Sequence, residues 1–357
     1  MGRARRPQTK KRWIGPALFG ASAFLVAVLL GAAFYFKVPK DLWEELFPVP
    51  QDEDERSVSV LVEPGMNARQ AARAFEEQDA VEGPAAQLAY WLVRLGADRR
   101  IKPGRYRVIR SSPWHVARQI RDMEPSLLKM TIVPGADVFS LPEALSGDVL
   151  VASNTEALHA AVMDDANWPK DMLAKLPEDE GARIAFLRPE TYLVFERTPQ
   201  EAVRAASASW WGRLGPRAAK LSSRELRRAA IIASMVEREV LHDVECRTVA
   251  GVIENRLKRG MPLQIDATVV YAWKLAGRTL KRVLNSDLAI ESPYNTYRVS
   301  GLPPQPICVP GDAAWDAALD PEANGYYYYV AGKDGYHTFA ATYEGHLRNV
   351  KRARSQP

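Results

Sequence analysis

An apolar run near the amino terminus constrains this chain more than any other feature. The run extends from Ile14 to Phe36 and contains 23 residues without a charged side chain. As a helix it would be about 34 Å long, against a bilayer hydrocarbon core of roughly 30 Å. A cleaved signal peptide is the alternative, but the run is too long for its apolar region and no small-residue cleavage site follows. The sequence therefore predicts an uncleaved transmembrane helix over residues 13–36.

The arm before this helix, residues 1–12, contains six Arg and Lys residues and no acidic residue. Positive charge keeps such an arm in the cytoplasm, so we expect the rest of the chain to lie on the extracytoplasmic side of the membrane. These six charges exceed the formal net charge of +5, which leaves the body of the protein close to neutral. The basic character therefore reflects membrane topology, and no nucleic-acid partner is expected.

The exported part predicts an α+β fold in two domains. Residues 37–56 contain prolines and an acidic stretch without apolar periodicity, which is typical of a linker. Strand and helix patterns then predict a small β-α-α-β unit, formed by Ser57 to Val62, Asn67 to Phe75, Ala86 to Leu95 and Arg105 to Ile109. A helix to Met123 and a strand from Leu127 to Val133 follow it. We place the first domain at residues 57–135 and the second at 136–357.

One acidic residue in the second domain stands out as a catalytic candidate. Ser222 and Glu225 form a capping box that opens a helix, and its middle, Ala229 to Val236, is apolar apart from Ser234. Glu237 follows this buried stretch, and helical spacing places it over small side chains. Partial burial would raise the pKa of Glu237 toward neutrality, as a general acid requires. The alternative is a Glu that leaves the core and pairs with an Arg.

Other segments of the second domain suggest further contacts. Thr198 and Pro199 begin a helix expected to run to Trp211, and a helix from about Glu245 to Leu257 ends before Gly260. Asp266 either caps the next helix or points toward a substrate. Residues 292–311 form a proline-rich loop whose Tyr and Asn side chains suit a sugar, although a surface Ω-loop remains the alternative. A hairpin near residues 326–340 carries His337, and a last helix begins at about Tyr343.

The sequence supports neither a metal site nor a disulfide framework. The histidines are scattered, without an H-E-x-x-H or paired C-x-x-C pattern, so neither a metal nor another cofactor is expected. Cys246 and Cys308 are the two cysteines. They could form one bridge in an oxidising compartment or remain two separate thiols.

These segments, taken in order, resemble the endolytic murein transglycosylase family, the YceG-like proteins, from about Val58 to the carboxyl terminus. The run Ile232 to Glu239 is similar to the family's catalytic helix, and its catalytic glutamate maps to Glu237. The other matching stretches are Asn255-Arg256-Leu257, Leu263-Gln264, Asp266, Thr268-Val269, Tyr294-Asn295-Thr296-Tyr297, Gly301-Leu302-Pro303-Pro304, Pro310-Gly311 and His337-Thr338-Phe339. The chain departs from the family pattern at Ala267, in the stretch Val133-Pro134-Gly135-Ala136, which lacks the family's Glu, and at Arg183 to Ala185. These departures change the lining expected for the interdomain cleft.

The resemblance implies a bacterial inner-membrane lyase with a LysM-like first domain. It would cleave the MurNAc-GlcNAc β-1,4 bond within peptidoglycan, with peptidoglycan synthases and the elongation machinery as partners. Glu237 would be the single acid, and Gln264, Asp266, Tyr294, Asn295, Tyr297 and His337 are candidates to bind the sugars. Two alternatives remain open: a muramidase that uses Glu239 or Asp266 as a second carboxylate, and a wall-binding scaffold without catalysis.

Overall fold

The computed structural model describes residues 57–142 and 155–355 of the chain. The predicted arm, transmembrane helix and linker lie outside these residues. Within the described part, no helix combines the length and apolar character needed to cross a membrane. Helices and three two-stranded sheets make up a mixed α+β fold, as the sequence predicted.

Residues 57–60, 68–101 and 107–122 form the first of two compact units. Strand β1 (Ser57–Val62) is followed by α1 (Ala68–Glu77), α2 (Ala85–Arg94), β2 (Gly104–Ile109) and α3 (Pro113–Asp122). Helix α2 buries Leu88, Trp91 and Leu92, the three- and four-residue spacing of one helical face. β1 pairs with β2, so the predicted β-α-α-β order is confirmed, with helix ends one or two residues from those expected.

The second unit contains residues 61–67, 102–106 and 123–355, apart from 143–154, which are not described. Its elements are β3 (Leu128–Thr131), α4 (Thr155–Met163), α5 (Glu180–Arg183), β4 (Thr191–Val194), α6 (Pro199–Ala218), α7 (Ser223–Glu239), α8 (Cys246–Lys258), α9 (Asp266–Leu275), α10 (Asp312–Leu319), β5 (Tyr328–Ala331), β6 (His337–Ala340) and α11 (Tyr343–Ser355). Strand β3 pairs with β4, and β5 pairs with β6, both in antiparallel register. The expected hairpin and the last helix are both confirmed.

Helix α6 corrects one boundary. Thr198 caps it as predicted, accepting from the Glu201 N–H at 3.2 Å, but the helix continues seven residues beyond Trp211. Its second half remains helical because Trp210, Leu214 and Ala218, spaced four residues apart, are all buried. The burial of these side chains therefore outweighs the cost of placing Pro216 inside the helix.

An aromatic cluster lies at the centre of the second unit and positions α10. The rings of Phe186, Trp210 and Trp315 have centroids 5.0 to 5.5 Å apart. Arg188 donates to both oxygens of Asp312, at 3.0 and 2.7 Å, which holds the first residue of α10. The amino end of α10 is thus fixed against the core, and this end lies next to Glu237.

Candidate functional site

Helix α7 delivers Glu237 from the core to a partly open position. Its capping box is present in full: the Ser222 side chain accepts from the Glu225 N–H, and Glu225 accepts from the Ser222 N–H. Every residue from Ala229 to Val236 is buried, as the sequence predicted, while Glu237 is half-buried. The site therefore begins where a fully packed helix reaches the edge of the core.

The end of the loop 292–311 packs on this helix through a buried hydroxyl. Ser234 Oγ donates to the carbonyl of Ile231 at 2.8 Å and accepts from the N–H of Ile307 at 3.0 Å. Cys308 Sγ lies 3.3 Å from the Ser234 carbonyl. The one polar side chain in the apolar run is thus fully used in holding the loop against α7.

Glu237 itself is held by the backbone just before α10. The N–H of Gly311 donates to Glu237 Oε2 at 2.8 Å. A Cβ atom on residue 311 would lie 3.1 Å from that oxygen and 3.8 Å from Pro134 Cβ, so glycine leaves room for the carboxylate. Among the described residues Glu237 forms no ion pair, so the alternative in which it pairs with an Arg is not the one observed.

A turn at Pro134-Gly135 forms a second wall beside the acid. Gly135 N–H donates to the Val309 carbonyl at 2.9 Å, and Val309 N–H donates to the Ala136 carbonyl at 2.7 Å. These two bonds fasten the turn to the loop that ends at Gly311. Asp137, two residues after Gly135, is buried and forms an ion pair with the partly exposed Lys274 of α9, which ties the turn to another helix.

The electrostatic environment suits a proton donor. Burial raises the pKa of the Glu237 carboxyl, the Gly311 N–H opposes this rise, the charge of Asp243 adds to it and that of Arg238 lowers it. A carboxyl with a raised pKa keeps its proton nearer to neutral pH, as a general acid must. Sequence reasoning missed Asp243, and the available signal was an acid six residues after Glu237, just beyond the end of the helix.

Glu239 faces away from Glu237. Burial raises the pKa of Glu239 to about 7, and its Oε2 accepts from the hydroxyl of Tyr329 at 3.0 Å. Side chains two residues apart do not share a face of a helix, and the two carboxylates contact different partners. The hypothesis that Glu239 supplies a second catalytic carboxylate beside Glu237 is therefore not favoured by the geometry.

Asp266 is not the helix cap. It is the first residue of α9, and Ile265, with φ −98° and ψ 113°, stands at the cap position. The turn is made at Gln264, which has φ +53°, and the Ile265 N–H is then taken by Thr296 Oγ1 at 3.0 Å. The Asp266 carboxylate instead accepts from the Tyr297 hydroxyl at 2.6 Å.

The remaining predicted sugar contacts divide by exposure. Gln264 and Asp266 are exposed and Tyr297 is half-buried, so all three remain candidates. Asn295 is fully buried, and its amide donates to the carbonyls of Leu288 and Ile290 at 2.9 and 2.8 Å. Asn295 therefore stabilises the loop, and its predicted contact with a sugar is not favoured.

Tyr294 and His337 are also turned inward. Tyr294 is buried and packs edge-on against Tyr271, with ring centroids 5.0 Å apart. The His337 side chain is 4% exposed, and its Nδ1 lies 2.9 Å from Glu245 Oε2. Both side chains contribute to the packing of this unit. Their burial argues against the predicted contact with a substrate, which stays a prediction.

Cys246 and Cys308 are both buried free thiols. The bridge considered from the sequence is therefore not formed. In the part of the chain that the structure describes, no group of three or more His, Cys, Asp or Glu side chains could hold a metal ion.

Comparison with known proteins places this fold and site in a family. The model of the YceG-like family matches residues 60–352. An endolytic murein transglycosylase of Bacillus subtilis (strain 168) is 44% identical over 115 residues, which are 32% of this chain and 31% of that protein. The protein of that name from Streptococcus pneumoniae (serotype 2, strain D39) is 28% identical over 359 aligned positions, covering 93% of this chain and 64% of the relative.

The chain spans less than two thirds of the length of these relatives. A YceG-like protein of Listeria monocytogenes has the same fold, with a TM-score of 0.52 at 22% identity over 82% of this chain and 98% of that one. The family match covers most of the chain and includes every residue of the site around Glu237. The chain therefore belongs to the YceG-like family.

Proposed function

We propose that this protein is an endolytic murein transglycosylase. It cleaves the β-1,4 bond between MurNAc and GlcNAc within nascent peptidoglycan strands and leaves 1,6-anhydro-MurNAc ends, which terminates strand elongation. Membership of the YceG-like family and the names of the relatives support this assignment. The main structural support for the assignment is the geometry of one carboxyl group.

That carboxyl is Glu237, which is half-buried and held by one donor. Gly311 occupies Oε2, and among the described residues no donor contacts Oε1. The Gly311 bond fixes the orientation of the group, while burial raises its pKa. A protonated Oε1 can therefore be presented to the oxygen of a glycosidic bond.

The reaction then needs only this acid. Glu237 donates its proton to the glycosidic oxygen as the bond from MurNAc C1 breaks, and GlcNAc leaves with a 4-hydroxyl. The resulting carboxylate takes the proton of the MurNAc C6 hydroxyl as that oxygen bonds to C1 and closes the 1,6-anhydro ring. No water is consumed, and Glu237 is protonated again at the end. Hydrolytic glycosidases instead use two carboxylates about 5 to 9.5 Å apart.

A muramidase is the second candidate because of Asp243. This exposed carboxylate is near enough for its charge to raise the pKa of Glu237, so it could activate a water on the sugar. Neither Glu239 nor Asp266 has this relation to Glu237, since each is bound to a tyrosine hydroxyl. The products distinguish the two reactions.

The setting in the cell is also part of the proposal. The apolar run at residues 13–36 and the basic arm before it support a single-pass anchor in the inner membrane, with the catalytic domain outside. We assign residues 57–135 to a LysM-like domain, in line with its β-α-α-β order, and 136–357 to the catalytic domain. Peptidoglycan synthases and the elongation machinery are the protein partners that this setting would bring close.

The test is digestion of purified sacculi by the full chain in detergent, followed by mass analysis of the products. Wild type should release anhydro-ended fragments, and Glu237→Gln should cleave about 10² to 10⁴ times more slowly. Glu76→Gln, on the exposed side of α1, is the matched control and should cleave like wild type. Reducing ends, heavier by one water, would identify a muramidase. Cleavage unaffected by Glu237→Gln would leave only a binding role for this site.

A further inference from the structure

Three large apolar side chains are exposed beside the catalytic acid. Leu241 and Val244, in the connection between α7 and α8, are 73% and 80% exposed, and Tyr336, in the hairpin, is 46% exposed. We call these three residues the apolar ridge. Leu241 follows Glu237 by four residues, and α7 ends between them at Glu239. The ridge therefore begins within about 13 Å of the acid along the chain.

The connection that carries Leu241 and Val244 is held at both ends by carboxylates that contact the hairpin. At its start, Glu239 accepts from the hydroxyl of Tyr329 in β5 at 3.0 Å. At its end, Glu245 accepts from the backbone N–H of His337 in β6 at 2.9 and 3.1 Å and contacts the His337 ring. One hairpin thus fixes residues 240–244 from both sides, which limits their freedom to fold inward.

The middle of the connection is fixed by the turn of the same hairpin. The rings of His242 and Tyr336 stack at 3.8 Å with an interplanar angle of 12°. The His242 Nε2 atom lies 3.0 Å from the Asp334 carbonyl, and a Cβ on Gly335 would lie 2.5 Å from Leu241 Cδ2. Leu241 and Tyr336 are thus supported from behind while their outer surfaces face solvent.

Exposed apolar groups held this firmly indicate a binding surface. Isolated exposed apolar residues are ordinary, but here two lie on one short, doubly fastened segment and the third, Tyr336, stacks on His242 of the same segment. Asp243 lies between Leu241 and Val244, and its charge acts on Glu237, so the segment adjoins the reacting position. A glycan strand bound at Glu237 can therefore extend over this surface.

We propose that the apolar ridge is a sugar subsite, in which Leu241, Val244 and Tyr336 pack against the C–H face and N-acetyl methyl group of a residue beside the scissile bond. The proposal rests on the proposed function, because it takes the glycan strand as the ligand. Sugar rings have apolar faces that bind aromatic and aliphatic side chains, and each N-acetyl group adds a methyl. The ridge supplies apolar area, while proton transfer is left to Glu237.

The test measures binding separately from cleavage. In the full chain carrying Glu237→Gln, the pair Leu241→Ser and Val244→Ser should bind uncross-linked glycan strands about tenfold more weakly. In the chain with an intact acid, the same pair should raise KM about tenfold and leave kcat within about twofold. The matched control is Leu193→Ser, a 61% exposed leucine in β4, which should change neither value. Equal melting temperatures show that the variants are folded.

The outcomes separate this proposal from the proposed function. Unchanged glycan binding by the ridge variant, with normal cleavage by wild type, overturns the ridge alone. Weaker glycan binding by the variant, with no anhydro ends from wild type, supports the ridge and overturns the transglycosylase.

Discussion

Gly311→Ala probes the contact that orients Glu237, the proposed catalytic acid. Residue 311 has φ −75° and ψ 175°, which alanine adopts without strain, and its N–H remains available to Glu237. The added Cβ would lie 3.1 Å from Glu237 Oε2. Ordinary contact between non-bonded heavy atoms begins near 3.5 Å, so the carboxylate must retreat by about 0.4 Å.

The expected loss of activity follows from this displacement. A misplacement of about 1 Å can reduce the rate roughly a hundredfold, so a shift of about 0.4 Å corresponds to roughly sixfold, or about 1 kcal/mol of activation free energy. The fold should lose about 0.5 to 1.5 kcal/mol, since alanine is a poorer helix cap than glycine. The assay is the initial rate of release of anhydro-ended fragments, with urea unfolding in parallel.

Gly212→Ala is the matched control for this substitution. Gly212 lies inside α6, and a Cβ there would meet no other atom within 4 Å. The variant should be as active as wild type and up to about 1 kcal/mol more stable, because alanine favours a helix. If Gly311→Ala cleaves as fast as Gly212→Ala, the close fit of residue 311 against Glu237 does not control the position of the acid.

Three further substitutions test the electrostatics and packing. Burial raises the pKa of Glu239 from its usual 4.5 to about 7, so this carboxyl's contribution to folding is fully present below pH 4.5 and is lost as the pH rises through 7. Glu239→Gln should therefore match wild type in urea unfolding at pH 4 and be more stable by up to about 3 kcal/mol at pH 8, and equal stability at both pH values would contradict the burial. Asp243→Asn should lower the pKa of Glu237 and move the alkaline limb of the kcat profile to lower pH, whereas an unmoved limb would show that Asp243 has no influence on the acid. Arg183 is buried and donates to the carbonyl of Pro177 at 2.8 Å and to Asp165 at 2.9 Å. Arg183→Ala should therefore lower the unfolding free energy by about 2 to 4 kcal/mol. A loss under about 1 kcal/mol would show that these hydrogen bonds do not stabilise the fold.

Much of the second unit could be predicted because its signals are local. The capping box at Ser222 and Glu225 marked the start of α7, and the Gly at position 260, with φ +66°, marked the end of α8. Thr198 located the start of α6 but not its end, because the burial of Leu214 and Ala218 depends on partners elsewhere in the chain. Local signals therefore predicted the starts of helices better than their ends, because the ends depend on packing.

The predicted sugar contacts show the limit of such reasoning. Tyr294, Asn295 and His337 have side chains that suit a glycan, and residue type alone cannot distinguish an exposed amide from a buried one. In the structure, the Asn295 amide donates hydrogen bonds to two loop carbonyls, and His337 contacts Glu245, which lies 92 residues away in sequence. These pairings arise only when the hairpin and the loop pack on the helices.

The sequence by itself predicted where most helices and strands begin and singled out Glu237 as the candidate acid. An apolar helix that ends in Glu237 is defined by hydrophobic spacing and capping over fewer than twenty residues, so neighbouring residues contain the information. The tertiary structure decided the hydrogen-bond donor and the electrostatic environment of that acid. Its donor, Gly311, lies 74 residues further along the chain, and the side chains of the apolar ridge are brought together by a hairpin almost 100 residues after the helix. A pKa and a binding surface depend on distances through space, and only the folded chain sets those distances.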